Sequence, residues 1–229
     1  MTRTTRSVRP ASAPTRRSTR QVILALFWGA GLLLPSPGAA QERDPTGGVD
    51  VAYAYARSFG YERTQAYEDA VRSLAPVYEA YPNGYTVNLR MGWLFYLNGN
   101  YSNAVAHYEV AEAAAPSALE PKLGRLLPLL SQERWAEAEA VGYQIVSVDH
   151  YSYYGNLRLA AALRMQGKVE SAYQVALKMV AAYPTDVAYL VELARIAEAR
   201  GEGDEARRLF GEILILDPEN EVARRYLAG

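Results

Sequence analysis

Two histidines, His107 and His150, and a few acidic clusters are the residues of this 229-residue chain that could move protons or hold a metal. Around neither histidine does an Asp, Glu or His recur at ligand spacing. HExxH, a Gly-rich phosphate loop and GxSxG are all missing from the sequence. Glu133, Glu137 and Glu139, and then Glu198, Glu202, Asp204 and Glu205, are dense enough for paired-carboxylate chemistry, which requires burial to drive two pKa values apart. These residues fall at the ends and turns of charged stretches, so solvated faces are the expected role. Cysteine is absent, which excludes disulfides, thiolate zinc sites, cysteine nucleophiles and a lipoprotein anchor. The sequence therefore predicts no catalytic residue, no metal and no cofactor, and not an enzyme.

Charge narrows the partner further. Lys and Arg number 24 and Asp and Glu 25, but Arg3, Arg6, Arg9, Arg16, Arg17 and Arg20 lie within the first forty residues, where no acid occurs. The rest of the chain holds 18 basic against 25 acidic residues, a balance that repels phosphate backbones, and no nucleic-acid partner is expected. Half the residues are apolar, as in a foldable globular chain.

The basic stretch leads into an apolar run from Val22 to Leu34, then Pro35, Pro37, Gly38, Ala39 and Ala40. A positive region, a short apolar region and small residues form the order of a secretory signal peptide, with cleavage expected near Ala40/Gln41. The run is shorter than the roughly 20 residues that span a bilayer, so no stable membrane anchor is expected after cleavage. Arg16 and Arg17 resemble the start of a twin-arginine signal, although Ser18, Thr19 and Arg20 depart from its pattern. The expected location is exported, periplasmic or extracellular.

The remainder is periodic. Ala70, Ala104, Ala138, Ala172 and Ala206 are spaced by 34, and Pro82, Pro116, Pro184 and Pro218 keep the same period, with His150 in the third proline slot. After a short linker at 41–50, the units are 51–84, 85–118, 119–152, 153–186 and 187–220, and 221–229 is read as a short capping helix. Each unit reads as two helices. Asn98-Gly99-Asn100 and Gln166-Gly167-Lys168 interrupt the pattern where a turn needs positive φ, and the terminal prolines stop the second helix. Alanine at one phase marks the close crossing within a pair, and Leu74, Tyr108 and Phe210 fill the space one turn later.

Met91-Gly92, Phe95, Gly99, Tyr101, Ala104, Tyr108, Ala111 and Pro116 stand where the tetratricopeptide repeat has its characteristic residues, and Leu193-Ala194, Ala197, Gly201, Ala206, Phe210, Ile213 and Pro218 repeat the match. The chain thus resembles that family. The resemblance implies an all-α, right-handed superhelical solenoid of about five helix-turn-helix repeats, with the first helices lining a concave groove. At the implied groove positions stand Tyr55, Phe59, Leu89, Trp93, Tyr96, Leu97, Leu123, Leu127, Leu130, Tyr154, Leu157 and Met165, followed by Val191, Arg195 and Glu198. Family members that clamp a C-terminal carboxylate use Lys and Asn where Leu89, Trp93, Leu123 and Leu127 stand here, so that mode is not expected. The apolar strip is either a partner site or, if Pro128 distorts unit three, part of an ordinary core. Pro76 and Pro128 fall inside predicted helices, and Gly142 takes a slot usually held by a large residue, making unit three the expected weak link.

The implied function is an exported scaffold that holds a protein or peptide in the groove, in the manner of an accessory or assembly factor of an envelope or polysaccharide-export system. The alternative is a solenoid that self-associates through its thinly capped end.

Overall fold

The computed structural model describes residues 48–229; the proposed signal peptide at 1–40 and most of the linker at 41–50 lie outside them. The described residues are all-α. Eleven helices follow in order: α1 Val51–Arg63, α2 Tyr67–Ala80, α3 Tyr85–Leu97, α4 Tyr101–Ala114, α5 Glu120–Ser131, α6 Trp135–Val148, α7 Tyr153–Met165, α8 Val169–Ala182, α9 Val187–Ala199, α10 Gly203–Leu216 and α11 Glu221–Ala228. Consecutive helices pack as antiparallel pairs, and each pair leans on the next. Among the first helices, α3 touches α5, α5 touches α7 and α7 touches α9, which places them along the inner side of the stack. This is a solenoid, whose stability is close to a sum of unit and interface contributions.

The periodic alanines do what their spacing requires. Ala70, Ala104, Ala138, Ala172 and Ala206 are fully buried, and Leu74, Tyr108 and Phe210 are buried beside them. Apolar side chains collect in three successive clusters, around Leu74 and Leu94, around Leu126 and Ile145, and around Leu163, Ile196 and Phe210. The last is closed by α11, where Tyr226 lies 4.4 Å from Phe210 between ring centroids.

Two local devices repeat with the units. Every first helix closes with a pair of reversed bonds, as in Asn100 N–H to Phe95 O and Gly99 N–H to Tyr96 O. The residue at the tip has positive φ: Gly99 (76°), Gly167 (74°) and Gly201 (79°), but Gln65 (61°) and Glu133 (58°) in units one and three. The turn between units is held from the following helix. Asn88 Nδ2 donates to Pro82 O at 2.8 Å, Lys122 Nζ to Pro116 O at 2.7 Å and Asn156 Nδ2 to His150 O at 3.1 Å.

The two interior prolines fall inside helices, as their positions in the repeat predict. Pro76 and Pro128 sit inside continuous helices α2 and α5, and Pro128 is itself buried against the core. Gly142 is not a missing side chain. A methyl there would lie 3.0 Å from Leu159 Cβ, so the glycine lets α6 and α7 approach closely.

Candidate functional site

The groove residues sit on the first helices because those helices expose one side to the inner face while burying the other against their partners. All twelve are at least partly open to solvent and none lies in the core; Met165, at the end of α7, is 47% exposed. Helix α5 continues through Pro128, and Leu123, Leu127 and Leu130 on it stay partly exposed. Among the further positions, Val191 and Arg195 are partly exposed and Glu198 is exposed.

At the α1–α3 end the strip is polar as well as aromatic. Trp93 Nε1 donates to Glu62 Oε1 at 2.8 Å, and the other Glu62 oxygen pairs with Arg90. Arg90 lies over the Phe59 ring at 3.9 Å and donates from Nε to Ser58 Oγ at 3.2 Å. Burial pushes the Arg90 guanidinium below its ordinary pKa, while Glu62 pulls it back up. The pair thus ties Phe59 and Trp93 into one rigid unit. Tyr96 continues the aromatic run, 5.7 Å from Trp93 and 5.9 Å from Tyr101 between centroids.

Further along, Leu123 and Leu130 rest on the core cluster of α5 and α6, and Tyr55 rests on that of α1 to α3. Arg158 of α7 donates to Leu123 O at 2.7 Å and lies 5.0 Å from the Tyr154 ring centroid. Withdrawal from water lowers its pKa to about 10, against the influence of the Tyr96, Tyr154 and Tyr108 hydroxyls. It remains a cation at neutral pH. Arg90 and Arg158 were not among the expected groove residues, yet they occupy the same repeat position two periods apart, and that recurrence of arginine at one phase was the available signal.

The residues first considered for chemistry lie apart from one another. His107 stacks on Phe95 at 5.1 Å, meets Tyr78 edge-on at 5.3 Å and bonds through Nδ1 to Asn88 Oδ1 at 2.8 Å. Burial lowers its pKa. His150 is exposed beside Tyr151. Glu137, Glu139 and Glu205 are held below the ordinary carboxylate pKa by hydrogen bonds from Arg134, Lys168 and Arg208, the opposite of what a general acid requires. Among the described residues, no group of three potential ligands could hold a metal ion, and no helix is long and apolar enough to cross a membrane.

Residues 61–118 match the family model described as tetratricopeptide repeat. No curated protein matches the chain. Of solved structures, MamA (41 to the end) from Desulfovibrio magneticus RS-1 is 18% identical with a TM-score of 0.67, covering 73% of this chain and 95% of that one. YrrB, described as a TPR protein with an unusual peptide-binding site, is 12% identical with a TM-score of 0.64, covering 77% and 91%. TTC0263, a thermophilic TPR protein in Thermus thermophilus, is 14% identical with a TM-score of 0.61, covering 76% and 96%. At these identities the likeness shows the fold.

Proposed function

We propose that the chain, whose residues 61–118 match the tetratricopeptide repeat model, is a scaffold without turnover or cofactor that holds a polypeptide segment along the inner face of α3, α5 and α7. The observation that carries this is the state of the strip itself: Leu89, Trp93, Tyr96, Leu127 and Tyr154 are all partly exposed. A contiguous apolar surface of this kind marks an interaction site. The peptide-binding site of YrrB, which has the same fold, supports the class of ligand.

The arginine-rich, acid-free leader and its apolar run support export, with residues 1–40 removed as a signal peptide. Action in an envelope or polysaccharide-export assembly follows from that location by analogy. Intact mass of the native protein tests export: a species beginning near Gln41 supports it, and one retaining Arg3 to Arg20 rejects it.

A second reading, self-association, draws on Ile215 (81% exposed) and Leu216 (44%) beside the short α11. Light scattering over a concentration series separates the two.

The groove reading is tested with the full chain and a display library of random peptides. Selected peptides should bind, and Trp93→Ala should weaken them by about 2 kcal/mol or more while shifting the melting midpoint little, as for an exposed anchor. Failure to select any binder, or a collapse of stability by about 3–5 kcal/mol as for a core aromatic, contradicts it.

A further inference from the structure

Resting on the groove reading, we propose that Arg158 receives the carboxylate of an Asp or Glu side chain carried within the bound segment. Three other buried or half-buried arginines of the first helices have their counter-charge in the chain: Arg90 pairs with Glu62, Arg125 with Glu109 and Glu112, and Arg164 with Glu192. Arg158 stands in the same repeat position as Arg90 but has no such acid among the described residues. Among those residues its contacts are the Leu123 carbonyl and the face of Tyr154, and the side chain is half-buried.

A guanidinium offers a planar fork of donors, and one N–H to a backbone carbonyl leaves most of that fork unused. Any apolar segment lying on Leu123, Leu127 and Tyr154 covers Arg158 and strips its water. An occupant without an anionic acceptor then leaves a charge covered and unpaired, which is strongly unfavourable, whereas a carboxylate gains a charge-assisted bond in a low-dielectric setting. The arginine thus selects for an acid and against its neutral isostere. The acid belongs to a side chain because partly exposed apolar residues lie before Arg158 in the stack, at Trp93 and Leu127, and after it, at Val191. The segment therefore continues past this point in both directions.

The test uses a peptide selected from the display library, resynthesised with acetylated and amidated ends and bound to the full chain by fluorescence polarisation. The selected sequence should carry an Asp or Glu among apolar residues. Changing that acid to its amide should weaken binding by about tenfold or more. Arg158→Met should erase the difference between the acid and amide peptides, and Arg158→Lys should keep part of it. Circular dichroism of both variants establishes that the helices remain, and Arg158→Lys alone decides the matter if the methionine variant unfolds. Equal binding of acid and amide peptides, both weakened by Trp93→Ala, overturns this inference and leaves the groove reading intact. A requirement for an uncapped C-terminus overturns it too, since the carboxylate is then a chain end. A library that yields no binder removes the groove reading and this inference together.

Discussion

A methyl group on Gly124 would stand 2.3 Å from Cε1 of Tyr108 and 2.5 Å from its Cζ, so the ring of α4 and the bare backbone of α5 share one contact. A methyl group on Gly92 of α3 would likewise lie 3.0 Å from the same ring. Tyr108 is thereby clamped between two units and is 2% exposed.

Gly124→Ala sets two effects against each other. Alanine gains about 1 kcal/mol in helix propensity, and the clash costs about 1–3 kcal/mol because a packed ring cannot swing away. Net destabilisation is expected in urea unfolding, and pairing the change with Tyr108→Leu should recover part of it. A neutral or stabilising Gly124→Ala would show the contact to be loose.

Gln65 and Glu133 hold the left-handed tip that glycine holds at 99, 167 and 201. The left-handed conformation costs an L-residue about 1–2 kcal/mol, and glycine gives back part of that relief as unfolded-state entropy. Gln65→Gly and Glu133→Gly should each raise stability by about 0.5–1 kcal/mol. A loss of stability in thermal unfolding would count against the turn geometry.

His107 makes stability depend on pH. Its native pKa lies below its ordinary value of 6.5, so the unfolded chain takes up a proton first as pH falls. The contribution is complete above about 6.5, declines as the pH drops from there toward the native pKa, and levels off below it. His107→Gln should flatten this part of the profile. The difference between wild type and variant isolates the histidine from the carboxylates, and profiles that stay parallel through this range would reject the assignment.

Unit three should open before its neighbours, because Pro128 removes a backbone bond from α5 and Glu133 strains the turn that follows. Amide exchange should be faster over Leu126–Ile145 than over Leu157–Met179. Equal or slower exchange would contradict the weak-link account. Gly142, which the sequence offered as a second weakness, contributes close packing instead.

The fold was legible because one feature recurs: alanine at a fixed phase can only be a helix crossing, and all five are buried. The groove strip was legible as positions. Its polar chemistry was not, because Glu62, Arg90 and Trp93 meet across two units and Arg158 reaches a backbone carbonyl 35 residues away. Periodicity reports what repeats, and these contacts depend on what differs between units. Asn88, Lys122 and Asn156 hold equivalent turns with two chemistries, so identity at that position hides a common role that geometry reveals.

The most direct test of the groove follows leucine methyl groups by NMR while a selected peptide is added to the full chain. The account predicts that Leu89, Leu97, Leu123, Leu127 and Leu157 shift together and saturably, while Leu177 and Leu216, exposed elsewhere at 40% and 44%, stay in place. Shifts concentrated at Leu177 or Leu216, with the groove leucines unmoved, would contradict it.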